Sequence, residues 1–166
     1  MAIREIRLFG DPVLNSPMPP VARFDSSLRT LVSDMLETMD AAGGVGLAAN
    51  QVGVAARVFV FDCQGMRGHA VNPTWRPLGD DVQTGGEGCL SVPGIGGTVT
   101  RHNSVVMSAT DTSGRPLTVR ATGLLARCIQ HETDHLDGVM FMRRMDPEAR
   151  KEAMALIRAS EWFKEN

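Results

Sequence analysis

Residues 123–137 read Gly123-Leu124-Leu125-Ala126-Arg127-Cys128-Ile129-Gln130-His131-Glu132-Thr133-Asp134-His135-Leu136-Asp137, and the stretch predicts a helix. Thr122 stands before it as a capping hydroxyl and Gly138 after it as a stop. Inside it, histidines at i and i+4 project from one helical face, near enough to grip one metal ion through both imidazoles. Glu132 sits beside the first histidine and leans over the same place. A carboxylate there can take a proton from water on the ion and later return it to a leaving group. Leu124 and Cys128 fall seven and three residues before His131, on nearly the same face. A metal site running on into an apolar groove is the layout of a catalytic pocket; two histidines on a wet helix face have no such continuation.

Working outward, the site needs a third ligand, because catalytic centres of the zinc type use three protein ligands and a water. No histidine follows His135. Glu148, Glu152, Glu161 and Glu165 do follow, in a charged helix that a solvated face explains; a ligand from there would make the chain a zinc endopeptidase. Cys89, in Glu87-Gly88-Cys89-Leu90-Ser91, is the stronger candidate, since the glycine beside it lets the backbone come close to an ion. A thiolate and two imidazoles leave one tetrahedral position open. The thiolate also lowers the Lewis acidity of the ion, so another group must stabilise developing negative charge. Gly44-Val45-Gly46-Leu47-Ala48-Ala49-Asn50-Gln51 offers one in the side-chain amide of Gln51. That stretch lacks the lysine and hydroxyl of a phosphate-binding loop, which excludes a nucleotide role. Cys63 and Cys128 read as small buried residues in apolar surroundings.

The remaining pattern predicts an α+β fold, one domain over residues 1–166, with antiparallel β-sheets around the metal-binding helix and further helices at both ends. Apolar residues at Leu28, Leu31, Val32, Met35, Leu36 and Met39 form the stripe of a helix starting at Asp25 or Ser26 and ending at Gly43-Gly44, after an extended proline-rich arm over 17–20. Residues 54–62 alternate as a strand; Ser104–Thr110 and 117–121 read as a hairpin about the turn at 111–114. The glycine-dense stretch 85–97 reads as loop. Asp146-Pro147 starts a last helix that runs through Met154, Leu156 and Ile157 toward Trp162 and Phe163. Three cysteines make no disulfide framework, which points to a reducing compartment. The first seven residues place charges inside their apolar pattern, unlike a signal peptide, and no stretch approaches the roughly 18 apolar residues of a membrane span. A soluble, cytoplasmic chain is expected. Its formal net charge of -2 gives no field for nucleic acid or membrane.

The three blocks together resemble bacterial peptide deformylase, whose pattern is a Gly-x-Gly-x-Ala-Ala-x-Gln loop, a Glu-Gly-Cys-Leu-Ser segment and a Gln-His-Glu-x-Asp-His helix. Here they stand at 44–51, 87–91 and 130–135, in that order. The resemblance implies a metal-dependent hydrolase that removes the formyl group from the N-terminal formyl-methionine of new polypeptides and releases formate. By motif position it makes Cys89, His131 and His135 the metal ligands and Glu132 the general acid/base, with Gln51 and the Leu90 N–H as oxyanion donors. It implies Fe(II), with zinc, nickel or cobalt able to substitute. The methionine side chain would lie between Val45 and the Leu124 and Cys128 face, and Gly44, Val45, Gly46, Glu87 and Gly88 would meet the substrate. A formylated nascent peptide is the implied partner of a monomeric enzyme. Contact with the ribosome is a further implied partnership, although the C-terminal helix mixes Arg150, Lys151, Arg158 and Lys164 with acids and shows no evident phosphate-binding surface. A zinc endopeptidase, or a metal-binding protein without turnover, are the readings that compete. Arg127, Asp137 and the run 94–97 depart from the family pattern. Arg127 lies about 40° from His131 around the helix, open to two readings: a guanidinium at the pocket rim that meets substrate, or a plain surface arginine.

Overall fold

A computed structural model describes residues 2–165; Met1 and Asn166, the ends of the expected 1–166 domain, lie outside the described residues. The elements run α1 (Ser26–Ala42), β1 (Gly46–Ala48), β2 (Val58–Cys63), β3 (Met66–Pro77), β4 (Val82–Gly88), β5 (Gly96–His102), β6 (Ser104–Thr110), β7 (Pro116–Thr122), α2 (Gly123–Leu136), α3 (Pro147–Ala159) and α4 (Glu161–Lys164). Strands β1-β2-β3-β6-β7 form one antiparallel sheet in that order, and β4-β5 form a second. The result is a single α+β domain.

The alternation of β2 explains the layering. Its side chains point to opposite faces in turn. Val58 and Val60 join Leu28, Leu31, Val32, Met35 and Met39 of α1, whereas Phe59, Phe61 and Cys63 join Leu125, Cys128 and Ile129 of α2. Strand β2 is therefore buried on both sides, with one helix per face. A third cluster packs α3, through Ala153 and Ile157, against Val99 of β5, Val92 and Phe141.

Local chemistry sets the helix ends. The Asp25 carboxylate accepts from the Leu28 N–H at 3.2 Å to open α1, and Gly43 closes it at φ 70°. At α2 the expected Thr122 side-chain cap is not made. Gln64, from the β2–β3 turn, accepts from the Leu125 N–H at 3.0 Å instead. Gly138 follows α2 at φ 77°, where an added Cβ would fall 2.8 Å from the Asn15 backbone.

Three expectations need correction. The glycine-dense stretch is strand at both ends, with β4 and β5 in register from Val82↔His102 to Gly88↔Gly96, and loop only over 89–95. The strand expected over 54–62 starts at Val58, because Val54 and Ala56 are taken up in turns (Val54 N–H to Ala49 O, 3.0 Å). The C-terminal helix breaks at Ser160, which leaves the helical region (φ -75°, ψ 138°) and separates α3 from α4. Leu156 then faces solvent, 58% exposed, since Ala153 and Ile157 hold the buried side of α3. Among the described residues no helix is long and apolar enough to cross a membrane.

Candidate metal centre and active site

The loop between β4 and β5 carries Cys89 over the middle of α2. Its Sγ lies 3.3 Å from His135 Nε2, which lies 3.2 Å from His131 Nε2. The three ligand atoms fall within 4.8 Å of one another, and they are the one such cluster among the described residues. A soft thiolate and two imidazole nitrogens, converging from two separate elements, fit a tetrahedral divalent transition metal with one position left for water or substrate. The donor set thus suits the ion that the sequence motif implies.

A buried polar framework holds these ligands. Glu87 accepts from His131 Nδ1 at 2.8 Å and from Arg101 at 2.8 and 2.9 Å, and takes a further bond from Arg127. Arg101 also donates to Asp134 at 2.6 Å, and Arg144 donates to Asp134 at 3.0 and 3.1 Å. Burial alone would raise the Glu87 carboxyl, but Arg101 and His131 outweigh it and hold the group well below the usual carboxylate range. Glu87 thereby fixes the His131 ring with Nε2 turned to the site. His135 is held through its backbone, whose carbonyl accepts from Asn50 Nδ2 at 2.7 Å. Burial and the neighbouring His131 push His135 well below an ordinary histidine.

Glu132 is buried beside the ligands with Oε1 unpartnered. Burial raises its carboxyl to about 7, with Glu87 adding to the rise against His131. A carboxyl titrating near neutrality can both accept and release a proton. Gln51 is clamped by the Ala48 N–H, which donates to its Oε1 at 2.9 Å. Its amide nitrogen is thereby turned toward Ser91 Oγ (3.1 Å) and Cys89 Sγ (3.5 Å). The Leu90 N–H meets no acceptor among the described residues.

A cavity of about 380 Å³ opens over this centre. Gly44, Val45, Gly46, Glu87, Gly88, Leu124 and Cys128 all line it, together with Gln51, Cys89, Leu90, His131 and Glu132. His135 is the one proposed ligand beneath its surface, 1% exposed. The Glu87 carboxylate does not face the cavity freely; it is committed to Arg101, Arg127 and His131. The Cys63 thiol and burial push Cys128 well above an ordinary thiol, so it forms a neutral wall. Arg127 lines the cavity and is no surface residue, at 6% exposure. Its side chain bonds to Glu87 and to the Val99 carbonyl, so Glu87 draws it inward.

Sequence reasoning missed Arg101, Arg144, Ser91 and Asn50. Arg101 carried no local signal. Ser91 and Asp134 stood inside the quoted motifs without an assigned role.

A model of the polypeptide deformylase family matches residues 3–151. The chain belongs to the peptide deformylase family. Peptide deformylase 1 of Corynebacterium efficiens is 59% identical over 167 residues, spanning 98% of this chain and 99% of that protein. The peptide deformylase 1 of Corynebacterium glutamicum is 60% identical with the same coverage. Among solved structures, the Ehrlichia chaffeensis peptide deformylase in complex with actinonin matches with a TM-score of 0.89 at 35% identity, covering 97% of this chain and 99% of that one. The Legionella pneumophila peptide deformylase matches with a TM-score of 0.87 at 42% identity, covering 93% and 92%. Family membership decides against the endopeptidase reading of the helix motif: the chain is a deformylase-type hydrolase.

Proposed function

We propose that Cys89, His131 and His135 hold the metal, that Glu132 moves the proton, and that Gln51 and Leu90 stabilise the oxyanion as the chain deformylates N-terminal formyl-methionine. The observation that carries these roles is the convergence of a thiolate, two imidazoles and an unpartnered buried carboxylate on one cavity. A divalent ion bound there supplies Lewis acidity toward water and the formyl oxygen. Glu132 takes the proton of the attacking water and gives it to the departing amine nitrogen as the formyl C–N bond breaks, so formate and a free amino terminus result. Gln51 Nε2 and the Leu90 N–H donate to the developing oxyanion, offsetting the thiolate's damping of the ion. Fe(II) is the native ion, with zinc, nickel or cobalt able to replace it.

The substrate lies along β1, an edge strand of the five-stranded sheet, whose outer side offers backbone groups for strand-like pairing. Pairing of that kind ignores side-chain identity beyond the first residue. The methionine side chain enters between Val45, 46% exposed, and Leu124, 45% exposed. The enzyme acts as a monomer in the cytoplasm, on chains emerging from the ribosome. The test is an anaerobic assay with formyl-Met-Ala beside an unformylated peptide, with metal quantified. Formate release that disappears in Cys89→Ala is expected; cleavage of internal peptide bonds without formate would overturn the assignment.

A further inference from the structure

Gln51 and Ser91 meet across a gap that no strand pairing spans. The turn Ala49–Val52, which carries Gln51, follows β1 of the five-stranded sheet, and the loop 89–95 joins β4 to β5 of the small one. Those two sheets share no ladder among the described residues. The Gln51 amide nitrogen crosses the gap with two N–H donors. It donates to Ser91 Oγ at 3.1 Å and toward Cys89 Sγ at 3.5 Å, so one donor is spent on the serine and the other is turned to the metal centre. The backbone of the N-terminal arm bridges the same gap. The Arg7 N–H donates to the Gln51 carbonyl at 2.6 Å, and the Phe9 N–H, two residues on, donates to the Ser91 carbonyl at 2.8 Å. The Arg7 guanidinium lies over Gly53, which closes the turn at φ 79°; an added Cβ there would fall 2.7 Å from Nη2. Residues 2–8 form neither helix nor strand, so the arm is held by these single bonds and by Asp34 and Thr38 upstream, where Thr38 Oγ1 accepts from the Arg4 N–H at 2.9 Å.

We propose that Arg7 and Phe9 are positioning residues for the oxyanion site: their N–H groups set the spacing of the turn and the loop, and with it the aim of the Gln51 amide. This assignment rests on the deformylase reading, in which Gln51 Nε2 donates to the developing oxyanion. Such a donor acts because it is in place before charge develops. Gln51 and Ser91 are both buried, so a carbonyl that loses its N–H has no surface water to turn to, and its loop shifts to find another donor. Arg7 and Phe9 do not line the cavity, so their loss should cost rate and spare substrate binding.

The test is a double-mutant cycle of Arg7→Pro, which removes the N–H, with Gln51→Ala, read as kcat and KM on formyl-Met-Ala. Losing an oxyanion donor outright costs about 10²- to 10³-fold. Loosening it through Arg7→Pro is expected to cost about tenfold in kcat, with KM within about twofold. In the Gln51→Ala background the same proline should change kcat by less than about twofold, because the group it misplaces is gone. An equal loss in both backgrounds, or a loss in neither, would overturn the proposal, since an arm that merely stabilises the fold acts whether or not Gln51 is present. Replacing Phe9 by its α-hydroxy analogue exchanges the N–H for an ester oxygen and keeps the side chain, so the cycle can be completed even where Arg7→Pro loses its thermal melting transition. The two side-chain N–H resonances of Gln51 in the ¹⁵N-labelled, zinc-loaded protein read the same effect without turnover: both arm variants should shift them, and unmoved resonances would overturn the proposal. No formate from the wild type would refute the activity, and full activity of Gln51→Ala would refute the oxyanion role. Absence of coupling in an enzyme that needs Gln51 would refute the role of the arm alone.

Discussion

Substituting Gly46 by alanine tests how tightly the Glu132 carboxylate is held. Gly46 opens β1 directly against α2, and an added Cβ would fall 2.6 Å from Glu132 Oε2, 3.0 Å from its Cδ and 2.8 Å from Cys128 Sγ. Ordinary contact begins near 3.4 Å, so the carboxylate must retreat by about 0.8 Å. Glu132 is buried, and the alternative, a shift of β1, would disturb its ladder with β2. A displacement of about 1 Å at a reacting group costs on the order of 10²-fold in rate, so kcat on formyl-Met-Ala should fall about 30- to 100-fold. Overpacking should also cost about 1–3 kcal/mol in urea denaturation. Metal content should hold, because neither Cys89 nor either histidine lies among the atoms the new methyl group meets first. Adding Cys128→Ala relieves the sulfur clash and should recover part of the stability without recovering kcat. A Gly46→Ala enzyme within twofold of wild-type kcat would refute the view that this carboxylate has no room to move.

Other perturbations probe the surroundings of the site. Glu87→Gln leaves Arg101, Arg127 and His131 sharing one oxygen; metal affinity by chelator competition should drop about 10- to 100-fold, and the fold should lose about 3–5 kcal/mol. Asp34 pins the N-terminal arm, accepting from the Ala2 N–H at 2.8 Å and from Arg4 Nε at 2.9 Å. The Ala2 bond, opposed by burial and aided by Arg4, holds its carboxyl below the ordinary value of 3.8. Its folded value is the lower one, so the tether is complete above pH 4 and is lost as pH falls through the depressed value. Arg4 amide protection in hydrogen exchange should drop over that acid window in the wild type, and should be low and flat in Asp34→Asn. Neighbouring glycines should also behave differently. Gly96→Ala drives a Cβ to 2.8 Å from the fixed Glu87 carbonyl, whereas Gly97→Ala meets only the flexible end of Met145, so thermal melting should show the larger loss for Gly96→Ala.

The helix carrying His131 and His135 was legible from sequence because its signal is local: a period of apolar residues, a chemical motif and a stop. So were α1, whose start at Ser26 and end before Gly43 follow from its cap and glycine, and the hairpin arm Ser104–Thr110. The small sheet was not legible. Gly85, Gly86, Gly88, Gly96 and Gly97 have poor strand propensity, and what makes them strands is the pairing of β4 with β5, which no local pattern announces. Strand β3 was hidden by Asn72-Pro73, where the register shifts between Val71 and Thr74 and Asn72 takes φ 52°. At the site, the converging Cys89, His131 and His135 were named from motifs, while the framework behind them was not. Arg127 shows the reason: an angle on a helical wheel places it near the metal face, but only the fold brings Glu87 close enough to bury its charge.

The most direct test of the central claim is turnover and metal content measured together in Glu132→Gln. With Glu132 in its proposed role of moving the proton and ligating nothing, wild-type metal content is expected with formate release from formyl-Met-Ala reduced at least about 10²-fold. Near-normal turnover in a metal-replete Glu132→Gln enzyme would contradict it.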